Sequence, residues 1–244
     1  MEDQGDLHST RAVASDRWVF LIGGIAAIVG SLMGMVGNLI HPATPLDDPE
    51  GVARVIAESD AWTLIHLVIV FGIVLMLGGL VALFRSIREG AAGAAGALAR
   101  FGLAAGIVGI AIGVVLVILD GVAAKQLADQ WAAAPPEEAA VALQIVLANE
   151  TINFALASSF NIVFAGLTFI PFGLAVALSG AYRPWLGWIV VVAGIASVGA
   201  GLIQAFTGEP TMASRVLTII GPTVITLWVL MLGVLLVRRA RRMS

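Results

Sequence analysis

Six apolar runs, at roughly 18–40, 62–84, 98–119, 153–179, 185–206 and 216–237, each reach the about 20 residues that a helix needs to cross the hydrocarbon core of a bilayer. In lipid a backbone has no water to bond to, so a run of this length must satisfy its N–H and C=O groups internally, as a helix. The predicted fold class is therefore an all-α integral membrane protein with six transmembrane helices. It divides into an N-terminal tail over 1–17, a single domain over 18–237 and a basic tail over 238–244. Composition agrees, since 59% of the 244 residues are hydrophobic and 12% charged, far from the balance of a soluble domain. With no cysteine, disulfides, thiolate metal sites and lipidated cysteines are excluded.

The placement of charge orients the chain. Six crossings leave both ends on one side, and Arg238, Arg239, Arg241 and Arg242 mark it as cytoplasmic, joined by Arg11, Arg17, Arg85, Arg88, Arg100 and Arg183. Arg54, Lys125 and Arg215 fall on the other side with most of the acids. The acidic N-terminus lacks the positive region of a secretory signal, and its first apolar run is too long for a signal core, so the run is expected to be retained. The wealth of Ala, Gly and Arg points to a bacterial source, and the predicted location is the bacterial cytoplasmic membrane.

Between the spans, Asp48-Pro49-Glu50 reads as a helix start, and Val52, Val55 and Ile56 on one face predict a short interfacial helix after the first span. Pro135-Pro136-Glu137-Glu138 repeats the signal and runs without a breaker into the fourth span. Spans three and four are thus expected to project on the outer side, with Pro171 kinking the fourth. Gly90 to Gly96 reads as a small, flexible inner connection. Glycine stripes (Gly23, Gly30, Gly34 and Gly37; Gly102, Gly106, Gly109 and Gly113; Gly187, Gly194 and Gly201) predict close contacts made by the odd-numbered spans. Residues 73–81, IVLMLGGLV, echo residues 228–236, WVLMLGVLL, which fits either three helical hairpins of common design or a shared membrane-helix composition.

The segment Ser179-Gly180-Ala181-Tyr182-Arg183-Pro184-Trp185-Leu186-Gly187-Trp188, followed by Ala193-Gly194 and a last helix ending Leu227-Trp228-Val229-Leu230-Met231-Leu232-Gly233, resembles a bacterial group of uncharacterised six-helix membrane proteins. The resemblance covers about the last third of the chain. It implies a six-helix bundle in a bacterial cytoplasmic membrane, and no activity or site.

Candidate functional residues gather towards the outer end. At about 100° per residue, Glu150, Asn153, Asn161 and Thr168 fall within roughly 80° of one another on the fourth span, a polar seam on an apolar rod. Asn161 lies near mid-membrane and needs an inter-helix hydrogen bond, trapped water or a ligand. Asn38 and His41 end the first span, His66 opens the second, Asp120 and Lys125 follow the third, and Gln204 lies on the fifth. A membrane boundary also collects polar residues that have no function, and both readings stand at this stage. His41 and His66 with Asp120 or Glu150 offer ligands that suit zinc, and the same histidines could grip a haem; no His-Glu-x-x-His spacing supports either, so the sequence assigns no metal, no cofactor and no catalytic residue. The lone lysine, Lys125, is not deep in the bundle as a retinal Schiff base requires, and no glycine-rich phosphate loop follows a strand.

Three functions follow as expectations. One is binding, sensing or transport of a small apolar or amphipathic ligand or lipid through an outward-facing polar pocket between spans one, two and four. Another is an accessory or scaffold subunit, as a homo-oligomer or within a complex. The third is a metal-assisted membrane hydrolase. Membrane lipids are expected partners, and the four-arginine tail favours anionic lipid over nucleic acid.

Overall fold

The computed structural model describes residues 2–45, 48–88, 93–208 and 211–243, and of residues 2–15 the backbone alone. Nine α-helices follow in order among these residues: α1 (Glu2–Ile40), α2 (Pro49–Glu58), α3 (Trp62–Arg88), α4 (Ala94–Ile118), α5 (Ala124–Ala132), α6 (Pro136–Phe160), α7 (Phe169–Leu178), α8 (Pro184–Thr207) and α9 (Met212–Arg241). Two wider π-helical stretches, Leu119–Ala123 and Asn161–Thr168, join α4 to α5 and α6 to α7. The described residues thus form an all-α protein with six helices long and apolar enough to cross a membrane: Asp16–Ile40, Trp62–Arg88, Ala94–Ala132, Pro136–Leu178, Pro184–Thr207 and Met212–Arg241. The helix of the first span begins at Glu2, ahead of the tail boundary drawn from hydropathy. Of the glycine-rich connection, Gly90, Ala91 and Ala92 lie outside the described residues; Gly93 has a φ of +85° and α4 starts at Ala94.

The spans close into a ring in chain order, each packed on its two neighbours, with α1 against both α3 and α9. One end is fixed by Arg85, whose Nε and Nη2 donate to both Asp16 oxygens at 2.6 and 2.9 Å, and by the Arg239 guanidinium 4.9 Å above the Phe20 ring. At the opposite end Arg215 donates to the Thr44 carbonyl at 3.0 Å and Lys125 to the Ala57 carbonyl at 3.1 Å. Apolar side chains such as Ile22, Leu39, Phe71, Val192 and Phe206 cover the outside of the ring, as lipid contact requires.

Backbones approach closely where the stripes predict. A Cβ on Gly30 would stand 2.6 Å from the Gly72 carbonyl oxygen, and one on Gly109 would stand 2.6 Å from the Phe164 Cα. Gly34 departs from its stripe: a Cβ there meets nothing within 4 Å, because it faces the cavity described below.

The predicted start of α2 is in place, with Pro49 at its first turn and the Asp48 carboxylate accepting from the Gly51 N–H at 2.9 Å. Ile56 is buried with Trp62, Ala124 and Ala128, so α2 lies on α5 and the start of α3. Spans of 39 and 43 residues are about 60 Å long at 1.5 Å per residue, twice the hydrocarbon thickness, and carry α5 and the first part of α6 clear of the ring. In the fourth span the departure from α geometry is the π stretch just ahead of Pro171, whose ring would otherwise crowd the carbonyl four residues back. Residues 179–188 and the last helix meet in a turn and a contact. Gly180 sits at φ +68°, the Tyr182 hydroxyl meets Ser86 at 2.6 Å, and the Trp228 indole donates to the Leu186 carbonyl at 2.8 Å.

Candidate functional site

A cavity of about 430 Å3 opens inside the ring. Its walls come from α1, α3, the third and fourth spans and α9, and none of the lining residues belongs to α8. The sequence placed the pocket between spans one, two and four; Leu116, Val117 and Asp120 add the third, and Thr218, Pro222, Ile225 and Thr226 add the sixth. The contribution of the sixth span had one signal, a proline inside an apolar run. Pro222 has no N–H, which removes a rung of the helix ladder, and Thr226 donates to the Pro222 carbonyl at 2.8 Å.

Of the residues singled out, Asn38, His41, His66, Glu150, Asn153 and Asn161 line the cavity. Thr168 does not. The π stretch winds the helix more widely than the spacing of about 100° per residue assumes, so the seam turns after Asn161. Thr168 is fully buried, its hydroxyl donates to the Val163 carbonyl at 3.2 Å, and its methyl faces Gly106. Asn38 is tied to its own helix through a 2.8 Å bond to the Gly34 carbonyl. Asn161 finds the inter-helix partners that its depth demands, donating to Gln204 Oε1 at 2.9 Å and to Thr218 Oγ1 at 3.3 Å; Gln204 Nε2 also reaches that hydroxyl at 3.3 Å. Spans four, five and six are joined there by one polar knot.

The cavity wall is graded. Ile69, Ile73, Met76, Leu116, Val117, Phe160, Phe164 and Ile225 make one part apolar, while His41, His66, Asp120, Glu150 and Asn153 gather at the end away from the arginine-rich tail. Asn153 is 6% exposed, and its Oδ1 is one of three buried side-chain atoms without a partner among the described residues, with Asn149 Nδ2 and Ser31 Oγ. Two of these three flank Glu150. A buried amide oxygen left unbonded costs about 1–3 kcal/mol.

The histidines meet at this end, beside the π stretch of the third span. In the π stretch Leu119–Ala123 two carbonyls accept side-chain bonds from the start of α3: Trp62 Nε1 donates to Asp120 O at 2.8 Å and Thr63 Oγ1 to Gly121 O at 2.9 Å. Gly121 admits the His66 ring, since a Cβ there would collide with the His66 side chain. His66 Nδ1 donates to the Trp62 carbonyl at 2.7 Å and His41 Nδ1 to the Pro42 carbonyl at 2.8 Å. The Nε2 atoms of the two rings lie 3.3 Å apart, and His66 Nε2 is 3.2 Å from Asp120 Oδ2. Trp62 packs tilted against both rings, with centroids 4.8 Å away. Burial, with His66 close by, pushes the His41 ring below the ordinary histidine range, although Asp120 and the Pro42 carbonyl pull the other way. His41 therefore favours the neutral form. No family model, no curated protein and no solved structure matches this chain, so the reading of the site rests on its own geometry.

Proposed function

We propose that this protein binds a small amphipathic molecule or lipid in the ring cavity, taking it from the outer face of a bacterial cytoplasmic membrane in which both termini are cytoplasmic. The observation that carries the reading is the graded wall. A cavity of about 430 Å3 falls within the roughly 300–1,000 Å3 of small-molecule sites, which are mostly apolar with a few placed polar groups. A polar head would lie at the end that carries Asn153 and Glu150, and the apolar part along Ile73, Met76 and Phe164. The orientation follows from the one-sided arginines, which put the histidine end outside. Membrane lipids supply the surroundings and are the first class of candidate ligand.

The test uses protein purified in mild detergent and its Gly34→Leu variant, in which the new side chain enters the cavity from a position with nothing within 4 Å. Thermal melting of both is followed against a panel of fatty acids, lysolipids, isoprenoids and apolar amines. At least one compound is expected to raise the melting temperature of the parent and not of the variant. A panel that fails to separate the two would sink the binding reading and leave the accessory-subunit reading in its place.

A further inference from the structure

The two histidines and the aspartate are arranged more closely than a wet polar cluster needs. Each Nδ1 carries its proton to a backbone carbonyl, so in the neutral rings both Nε2 atoms present lone pairs, and they present them to each other across 3.3 Å. A carboxylate oxygen joins them 3.2 Å from His66 Nε2, and the three atoms lie within 4.8 Å of one another. Three electron-rich atoms in that space repel unless something positive sits among them. A single shared proton joins two of the three; a cation joins all three.

We propose that His41 Nε2, His66 Nε2 and Asp120 Oδ2 bind a zinc ion at the mouth of the cavity, with the remaining coordination position open towards the cavity interior. Zinc bonds of about 2.0–2.2 Å arranged tetrahedrally set neighbouring ligand atoms about 3.3 Å apart, the separation already present on two edges of the cluster. Imidazole nitrogen and carboxylate oxygen suit zinc, and three protein ligands with a free fourth position are the pattern of sites that hold a water or a ligand group. The supporting layer is built as well. Both Nδ1–H groups are held by backbone carbonyls, which fixes tautomer and ring orientation as for metal-bound histidines generally. Trp62 walls both rings and binds the carbonyl of the third ligand, while Gly121 and the π stretch bring Asp120 within reach of His66. Glu150 is the one further acidic residue on the cavity wall among the described residues.

The experiment uses full-length protein freed of any affinity tag, stripped with a chelator and dialysed, then titrated with zinc chloride alone by calorimetry. Retained metal is counted by elemental analysis after desalting. One zinc per chain is expected. His41→Gln and Asp120→Asn are each expected to weaken binding by at least about a hundredfold, since loss of a group that merely supports a ligand already costs about 10–100-fold. His8→Gln, a substitution outside the cluster, is expected to bind as the parent does. Melting of the stripped variants beside the stripped parent shows whether the fold is kept, and cobalt(II) added to the parent gives a readout that needs no variant. An intense visible band from a four-coordinate nitrogen–oxygen site is expected, and the faint spectrum of octahedral cobalt counts against the proposal. Absence of stoichiometric zinc from the parent would leave the cluster as a shared-proton network. That result, or undiminished binding by either ligand variant, overturns the assignment.

Discussion

Asn161 shows how a single polar side chain is made tolerable in a membrane helix. Its amide donates to Gln204 and Thr218 on two other spans, so replacing it with leucine removes the donor from Gln204 Oε1 while that residue stays 6% exposed. An acceptor stranded in this way costs about 1–3 kcal/mol, whereas removing both partners together is close to neutral. Asn161→Leu is therefore expected to lower the melting temperature in detergent, and Asn161→Leu with Gln204→Leu to recover most of the loss. Equal melting of the single variant and the parent would show that the bond contributes nothing. Asn161, read from the sequence as part of a polar seam, lies on the cavity wall. The seam could not place Thr168, because the pitch of the intervening helix is a tertiary outcome.

At the scale of the helix, the glycines separate into two kinds that look alike in the sequence. Gly30 and Gly34 are one turn apart on the same stripe, yet Gly30 touches the α3 backbone and Gly34 faces empty space. Gly30→Leu forces a side chain against the Gly72 carbonyl, an overpacking that typically costs about 1–3 kcal/mol. Gly106→Leu meets the tips of Leu80 and Thr168 at 3.1 and 3.2 Å, which can yield, so its effect is expected to be smaller. Gly34→Leu relieves the helix of a glycine, worth about 0.5–1 kcal/mol, and fills part of the cavity. It is expected to melt at or above the parent temperature while losing the response to any cavity ligand. Detergent melting curves for the three variants give the order; a Gly34 variant as damaged as the Gly30 variant would mean that the cavity closes in solution.

The arrangement of the whole chain predicts which residues an impermeant thiol reagent reaches from outside the cell. Cysteines replacing Ala43 and Ala133, both exposed at the histidine end, are expected to react, and those replacing Ala181 and Arg242 at the arginine end only after permeabilisation. The reverse pattern would invert the orientation and place the cavity mouth in the cytoplasm. The ring explains why the fifth span contributes no wall. It packs on the fourth through Gly187, Gly194 and Gly201, which brings it close behind the cavity lining and leaves it no side chain to present inside.

The sequence by itself determined the number of spans, the start of α2 at Asp48-Pro49, the projecting third and fourth spans and the residues that gather at one end. These are set by local rules: hydrocarbon demands long apolar helices, proline and aspartate begin them, and polar groups collect where water is near. Only the tertiary structure decided that His41 and His66, which are 25 residues apart in the chain, come nose to nose with Asp120. That meeting depends on the π stretch at Leu119–Ala123, on the room left by Gly121 and on the closure of α1 against α3. Its physical reason is non-local. The carbonyls of the π turn accept bonds from distant donors, here Trp62 and Thr63, on another helix and 58 residues away.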